Sequence, residues 1–191
     1  GVSMIDIDGD NDLDIYLCKE FAPNKLFIND GNGVFTERAK EFGLDWKELS
    51  MQPAFFDYDR DGDLDMYLGV NGRGSNNPQA LMNSSNASSD YLFRGQPDQL
   101  FKNNGNNTFT NVTKQAGIYD FGFCQSVSIG DINNDGWPDI YLANDFEVRD
   151  ILYLNNHDGT FRDASRQALR HTSQASMGTD IADFNNDGLL D

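Results

Sequence analysis

The sequence predicts an all-β fold of β-propeller blades, each built from four short antiparallel strands. Three observations favour this fold. An acidic nine-residue motif occurs four times, a motif of Leu, Phe or Tyr, any residue and Asn occurs three times, and the two motifs alternate at regular spacing. Four strands in each repeat of about 50 residues are typical of a propeller blade. A parallel β-helix of calcium-binding nonapeptides is excluded because its repeats are far shorter.

Each acidic motif predicts a tight loop between two strands. Its four copies span residues 6–14, 57–65, 131–139 and 183–191. The first, third, fifth and ninth positions are Asp in fourteen of sixteen cases and Asn in the other two. The sixth position is Gly or Asn, the residue types that best tolerate a left-handed backbone. The eighth position is Leu or Pro in every copy, which predicts a buried plug beneath the loop.

The stretches around each loop predict the strands. Small and apolar residues precede the loops, and an alternating segment such as 14–17 follows three of them. The second motif begins at Leu26, Leu100 and Leu152 and leads through an Asn-, Asp- and Gly-rich turn to a Phe, as in a hairpin. Each repeat therefore holds two hairpins.

Spacing shows that the two motifs form one unit. The interval from the Leu of the second motif to the next acidic loop is 31 residues in all three cases, and the reverse interval is 20, 43 and 21 residues. The second unit thus carries an insertion of about 22 residues. We expect repeats at about 1–50, 51–124 (with the insertion at 71–97) and 125–176, and the start of a fourth at 177–191.

About three and a half blades cannot close a ring, and closure is how propellers protect their strand edges. The chain is therefore expected to be a fragment that packs against the remainder of its own propeller. Single helical turns are expected at 37–42 and 165–169. The insertion has loop composition and is equally well interpreted as a binding element or as a tolerated surface excursion.

The acidic loops predict calcium sites. Alternate side chains turned inward on a tight loop place four oxygen ligands around one point, the backbone carbonyl of position seven adds a fifth, and Ca²⁺ prefers such oxygens. Without a cation these carboxylates repel one another. We predict up to four Ca²⁺ ions, held by Asp6, Asp8, Asp10, Asp12, Asp14, Asp57, Asp59, Asp61, Asp63, Asp65, Asp131, Asn133, Asp135, Trp137, Asp139, Asp183, Asn185, Asp187, Leu189 and Asp191.

Other classes of site and protein are excluded on sequence grounds. An EF-hand needs Glu at position twelve and flanking helices, but that position is Leu17, Leu68 and Leu142 here. The net charge of −17 argues against a nucleic-acid partner, whose phosphates need Lys and Arg. No apolar run approaches the ~18 residues that suggest a membrane span.

The pattern D-x-[DN]-x-[DN]-[GN]-x-x-D resembles the FG-GAP or VCBS-type repeat, the unit of integrin α-subunit head propellers and of many secreted bacterial proteins. The segment Asn144 to Phe146 and the Leu-[Phe/Tyr]-x-Asn pattern are similar to the cartilage-acidic-protein-like (ASPIC/UnbV-associated) group. The resemblance implies a propeller of about seven blades with calcium in the loop that joins the first two strands of a blade. Asn11, at the glycine position, weakens the first loop slightly.

The resemblance implies an extracellular or cell-surface module that binds a protein or carbohydrate ligand, with calcium mainly structural. The alternatives are part of a secreted polysaccharide-processing enzyme and a purely structural spacer. No nucleophile motif or zinc spacing supports catalysis. Of the two histidines, His157 is expected in a solvated turn and His171 in a polar stretch before an inner strand.

The sequence leaves the roles of several residues open. Trp137, Phe146 and Tyr91 are candidates for exposed binding aromatics, although such residues more often pack against a neighbouring blade. Pairing of Cys18 with Cys124 is undecided. Glycosylation sequons, which matter only in a eukaryotic secretory pathway, begin at Asn83, Asn86, Asn106 and Asn111.

Overall fold

A computed structural model of the chain describes residues 1–71, 97–119, 121–145, 148–173 and 175–191. Most of the predicted insertion, with Tyr91 and two of the sequons, lies outside these residues, as does Phe146. The described chain contains three four-stranded antiparallel sheets, each with its strands in sequence order. This architecture confirms the predicted all-β fold of four-stranded units. The number of blades in a complete ring stays a prediction.

The sheets are built from consecutive segments of the chain. Sheet 1 contains β1 (Val2–Ile5), β2 (Asp14–Leu17), β3 (Lys25–Asn29) and β4 (Phe35–Glu37). Sheet 2 contains β5 (Ser50–Phe56), β6 (Asp65–Val70), β7 (Gln99–Asn103) and β8 (Phe109–Asn111). Sheet 3 contains β9 (Cys124–Gly130), β10 (Asp139–Asn144), β11 (Ile151–Asn155) and β12 (Phe161–Asp163).

Strand register places each motif in a hairpin. Ile5 pairs with Asp14, Phe56 with Asp65 and Gly130 with Asp139, so the first three acidic loops close the first hairpins of their sheets. We call these loops, with the loop at 183–191, loops 1 to 4. The Asn-rich turn closes the second hairpin in the same way, because the Asn that ends the third strand pairs with the Phe that begins the fourth.

The sheets pack face to face. β6 is buried along its whole length because successive side chains point to opposite faces, and each face has a neighbouring sheet. Leu68 joins a core with Tyr16 and Leu26 of sheet 1, whereas Tyr67 joins a core with Ile140 of sheet 3. Sheet 2 is therefore the middle layer of the described chain.

The first strands of the three sheets lie side by side. Ser3 Oγ donates to the Pro53 carbonyl at 3.3 Å, and Val127 N donates to Gln52 Oε1 at 3.1 Å. The first hairpins therefore point the same way, and loops 1, 2 and 3 gather at one edge of the stacked sheets. We call this edge the loop edge.

The short helices and the cysteines complete the core. The two predicted helical turns are confirmed as α1 (Ala39–Phe42) and α2 (Ser165–Ala168). Cys18 is buried in the core between sheets 1 and 2, and Cys124 in the core between sheets 2 and 3, both as thiols. Burial raises the pKa of the Cys18 thiol to about 11. No helix in the described part of the chain has the length and apolarity needed to span a bilayer.

Candidate metal centres

The backbone of each acidic loop turns through two left-handed residues. At the sixth position φ is 72° for Asn11, 95° for Gly62 and 87° for both Gly136 and Gly188, which confirms the sequence prediction. The fourth position is also left-handed, with φ between 59° and 76°, and this was not predicted. Gly and Asn occupy it in three loops, but Arg60 in loop 2 hides the pattern.

The carboxylate at the first position holds the loop closed. In loop 3, Asp131 accepts the N–H groups of Asp135 at 2.9 Å and Gly136 at 2.7 Å. The equivalent pair in loop 2 reaches Asp57 at 3.1 and 3.0 Å, and loops 1 and 4 repeat it. These exposed bonds satisfy backbone donors of the tight turn, so the loop's own hydrogen bonds help to define its shape.

The carboxylate at the ninth position fastens the loop to the second hairpin. Asp14 is fully buried and accepts Ile7 N at 3.0 Å and Asn29 N at 2.8 Å. Asp65 and Asp139 accept the equivalent N–H groups at 2.8 to 3.2 Å. This position was predicted only to bind metal, and its hydrogen bonds add a structural role.

The Asn of the second motif completes this fastening. The Asn29 side chain donates to the Leu13 carbonyl at 3.3 Å, and its Oδ1 accepts Gly31 N at 3.2 Å. Asn103 makes the same two contacts in sheet 2. Asn155 donates to the Pro138 carbonyl and also reaches the Tyr58 carbonyl of loop 2 at 2.9 Å. The recurrence of Asn in the second motif thus has a structural cause.

The eighth position is not the plug that the sequence predicted. Leu13 and Leu190 are 51% and 39% exposed, so the prediction is wrong for loops 1 and 4. The second position takes that role in loops 1 and 2, where Ile7 and Tyr58 are buried. The ninth residue begins a strand, and strand alternation turns the eighth away from the core that the ninth enters.

The third position carries the strongest sign of a cation. Asp8 Oδ1 and Asp59 Oδ1 are buried and have no hydrogen-bond partner. Burial, followed by repulsion from Asp10 and Asp14, raises the pKa of Asp8. A buried carboxylate oxygen without a partner is costly unless a cation reaches it.

Loops 1 and 2 each contain three carboxylates that lie close enough together to bind one ion. Oxygens of Asp6, Asp8 and Asp14 lie within 4.8 Å of one another, and those of Asp57, Asp59 and Asp61 do the same. These oxygen-only sets fit the ligand preference of Ca²⁺. Within the described residues, neither loop 3 nor loop 4 has a matching acidic trio. Their third position is Asn, and Asn133 is already bonded to Asp135 through both its Oδ1 and its Nδ2.

Loop 2 contains a cation of its own. Lys102 Nζ forms ion pairs with Asp61 Oδ2 at 2.8 Å and with Asp59 Oδ2. The hydrogen bond from Lys102 is the main cause that lowers the pKa of Asp61. Burial opposes the charge of Lys102, yet the bonds to both carboxylates raise its pKa. This contact of Lys102 with loop 2 was not predicted from the sequence.

Burial is the main cause of the raised pKa values of the carboxylates that begin the second strands. It raises the pKa of Asp65 to about 7, although hydrogen bonds from Asn103 and Tyr58 lower it. Burial also raises the pKa values of Asp14 and Asp139. A cation close to these groups would restore their usual acidity, because opposite charge favours the ionised form.

The residue at the seventh position differs between the loops, and the residue of the turn that faces it differs as well. In loops 1 and 2 it is Asp, and the side chain abuts a turn glycine, Gly31 or Gly105. In loop 3 it is Trp137, whose ring stacks on His157 at 4.9 Å between centroids. Arg60 of loop 2 lies over the Trp137 ring at 5.3 Å.

His157 is a turn residue, as predicted, with a left-handed φ of 65°. Its Nε2 lies 2.9 Å from Asp135 Oδ2, so the side chain contacts loop 3 and is not surrounded by solvent alone. His171 is exposed.

Further buried acidic groups lie away from the loops. Asp98 and Asp150 each occur two residues before the Leu of the second motif, at the edge opposite the loop edge. Tyr67 donates to Asp98 at 2.9 Å and Tyr141 donates to Asp150 at 3.1 Å. An Asp two residues before the Leu recurs in sheets 2 and 3, and this pattern was not among the predictions. These carboxylates bind tyrosine hydroxyls and backbone N–H groups, and we assign them no part in the metal centres.

The recurring loops and hairpins agree with a comparison to known families. Segments 6–68, 85–142 and 131–191 match the model of the FG-GAP-like repeat. The chain belongs to the FG-GAP-like repeat family. Every acidic loop of this FG-GAP-like chain falls inside a matched segment. The family expected from the sequence is confirmed.

A curated relative agrees with this assignment. The chain is similar to cartilage acidic protein 1 of Xenopus tropicalis, with 27% identity over 214 aligned residues. The alignment covers 100% of this chain and 30% of the relative, so the chain spans less than a third of that protein's length.

Proposed function

We propose that this FG-GAP-like chain is a non-catalytic calcium-binding module, whose ions stabilise the first hairpin of each sheet and whose loop edge binds a protein or carbohydrate outside the cell. The observation that carries the proposal is the partnerless, buried Asp8 Oδ1 within a trio of carboxylates. In loop 1 the ion would be held by Asp6, Asp8, Asp10 and Asp14, with the carbonyl of Asp12.

Charge and affinity favour calcium as the ion. The formal charge of −17 is concentrated in the loops, and divalent ions bound there reduce their mutual repulsion. Extracellular modules bind Ca²⁺ with dissociation constants of about 10⁻⁴ to 10⁻³ M, so this role suits a calcium-rich compartment. The relative named cartilage acidic protein 1 supports an extracellular location. Mg²⁺ fits less well because it demands a strict octahedron and keeps its waters.

The loop edge supplies a surface for a ligand. A pocket of about 270 Å³ lies between loops 1 and 2, lined by groups that include Asp8, Asp63 and Asn103. The half-buried Trp137 stack lies at loop 3 of the same edge. Concave polar groups close to an aromatic face suit peptide or sugar recognition. Calcium in the loops would fix this surface without catalysing a reaction.

Thermal unfolding of matched variants tests the calcium site. Asp8→Asn removes one negative charge from loop 1, and Asp30→Asn removes one from the exposed turn of the second hairpin. With free calcium at ten times the dissociation constant, one site adds about 1.4 kcal/mol to stability. We expect Asp8→Asn to reduce the calcium-dependent rise in melting temperature, because loop 1 loses a charged ligand, and Asp30→Asn to keep it. An equal response of both variants would show that calcium acts only by general charge screening.

A further inference from the structure

Lys102 replaces an apolar residue of the second motif. The equivalent residues are Ile28 in sheet 1 and Leu154 in sheet 3, and both are buried in hydrophobic cores. The Lys102 side chain instead runs past the ring of Tyr58, with Nζ 5.9 Å from the ring centroid, and enters loop 2. It thus carries a positive charge from β7 into the acidic cluster.

The ammonium occupies the side of loop 2 that a metal ion would use. It pairs with Oδ2 of both Asp59 and Asp61, two members of the carboxylate trio in that loop. Its side chain is only 32% exposed, so these pairs are partly shielded from water. In loop 1, the residue that corresponds to Lys102 is Ile28, and no ammonium is available from that position.

We propose that Lys102 is a built-in counter-cation that competes with calcium for loop 2, so that loop 2 binds calcium more weakly than loop 1. The inference rests on the proposed calcium binding and adds that the sites are not equivalent. A divalent ion at Asp59 and Asp61 must displace the ammonium or lie next to a like charge, and either event weakens binding.

The same contact keeps loop 2 in place when calcium is absent. Loop 2 belongs to the middle sheet. It contacts sheet 3 and its loop through Arg60, which lies over the Trp137 ring, and through the Tyr58 carbonyl, which accepts a hydrogen bond from the Asn155 side chain. The ammonium therefore offsets part of the negative charge of the central loop at low calcium, whereas the equivalent position in sheet 1, Ile28, offers loop 1 no such charge.

Calorimetric titration of the full chain with Ca²⁺ tests the inference. Lys102→Met keeps the length of the side chain and removes its charge, Lys102→Arg keeps the charge, and Lys25→Met removes a charge that is paired with Glu37 outside the loops. We expect Lys102→Met to strengthen one calcium site by about tenfold, a change typical of removing one partly shielded like charge. Lys102→Arg and Lys25→Met should retain the weak site.

Two further measurements locate the effect in loop 2. In EGTA, Lys102→Met should lower the melting temperature more than Lys25→Met does, because the loop loses its counter-cation. In a background in which both Asp59 and Asp61 are replaced by Asn, so that both partners of Lys102 are lost, Lys102→Met should no longer strengthen any site. An unchanged calcium affinity in folded Lys102→Met, with normal binding elsewhere, overturns the role of Lys102. Absence of calcium binding from every variant and from the parent chain refutes the proposed function instead.

Discussion

Replacing Asp14 by Ala separates the structural role of a loop carboxylate from its role toward calcium. Asp14 accepts Ile7 N and Asn29 N, the first buried and the second half-buried. Leaving a buried N–H without an acceptor costs about 1 to 3 kcal/mol. Removal of a buried charge whose pKa is raised by burial offsets part of this cost.

The net loss should be about 2 to 3 kcal/mol for this substitution, since two donors lose their acceptor and the offset is partial. For a chain of this length, that corresponds to a decrease in melting temperature of about 4 to 12 °C. The decrease must appear in EGTA, because it comes from backbone hydrogen bonds and not from a bound ion. Circular dichroism during heating measures it.

Two variants of the same loop serve as controls. Asp12→Ala removes the same charge from the seventh position and should change stability by less than about 0.5 kcal/mol. Asp8→Ala should leave stability in EGTA unchanged or raised, because burial and its neighbours raise the pKa of Asp8 and make its charge unfavourable. Melting of Asp14→Ala within about 1 °C of Asp12→Ala in EGTA refutes the structural role, since the smallest expected decrease is about 4 °C.

Three further predictions concern pH, a buried tyrosine and the stacked pair. Asp65 has a folded pKa of about 7 against an ordinary value of 3.8, so the metal-free chain should lose stability as pH rises between these values. Calcium should bind more weakly below pH 7 and release protons, which calorimetry in two buffers detects. Tyr67→Phe should cost about 1 to 2 kcal/mol in denaturant melts because buried Asp98 loses a donor. A double-mutant cycle of Trp137→Asp and His157→Gly, which introduces the residues found at these positions in sheets 1 and 2, should give a coupling of about 0.5 to 1.5 kcal/mol.

Each of these has a clear contrary outcome. Stability that stays constant across pH 4 to 7 in EGTA contradicts the raised pKa of Asp65. A melt of Tyr67→Phe that coincides with the parent contradicts the importance of the Asp98 contact. Additive effects in the cycle show that the Trp137 and His157 rings do not stabilise one another.

Local patterns made the hairpins predictable from the sequence. The spacing between the motifs fixed the sheets, because each hairpin pairs residues that are close in the chain. The left-handed sixth position followed from its Gly and Asn residues, whereas Arg60 concealed the equally left-handed fourth position. The second and the eighth positions are both apolar in every copy, so the residue types alone do not show which of the two is buried beneath the loop.

Contacts between distant residues could not be predicted in this way. Lys102 reaches Asp59 and Asp61 across more than 40 residues, and only the folded sheet brings them together. The acceptance of backbone N–H groups by Asp14 likewise depends on where the second hairpin lies. The predicted ligand residues of each site lie in one loop, as their spacing in the sequence indicated. Only the structure shows which of their oxygens lack a hydrogen-bond partner.

Calcium titration of the metal-free chain, followed by calorimetry and by thermal unfolding, determines whether the acidic loops bind calcium. We expect saturable uptake of up to four ions, with one site weakened by Lys102, and a melting temperature that rises with calcium and falls again with EGTA. A folded chain that takes up no calcium, and whose melting temperature is the same with calcium as with chelator, would refute the proposed calcium binding.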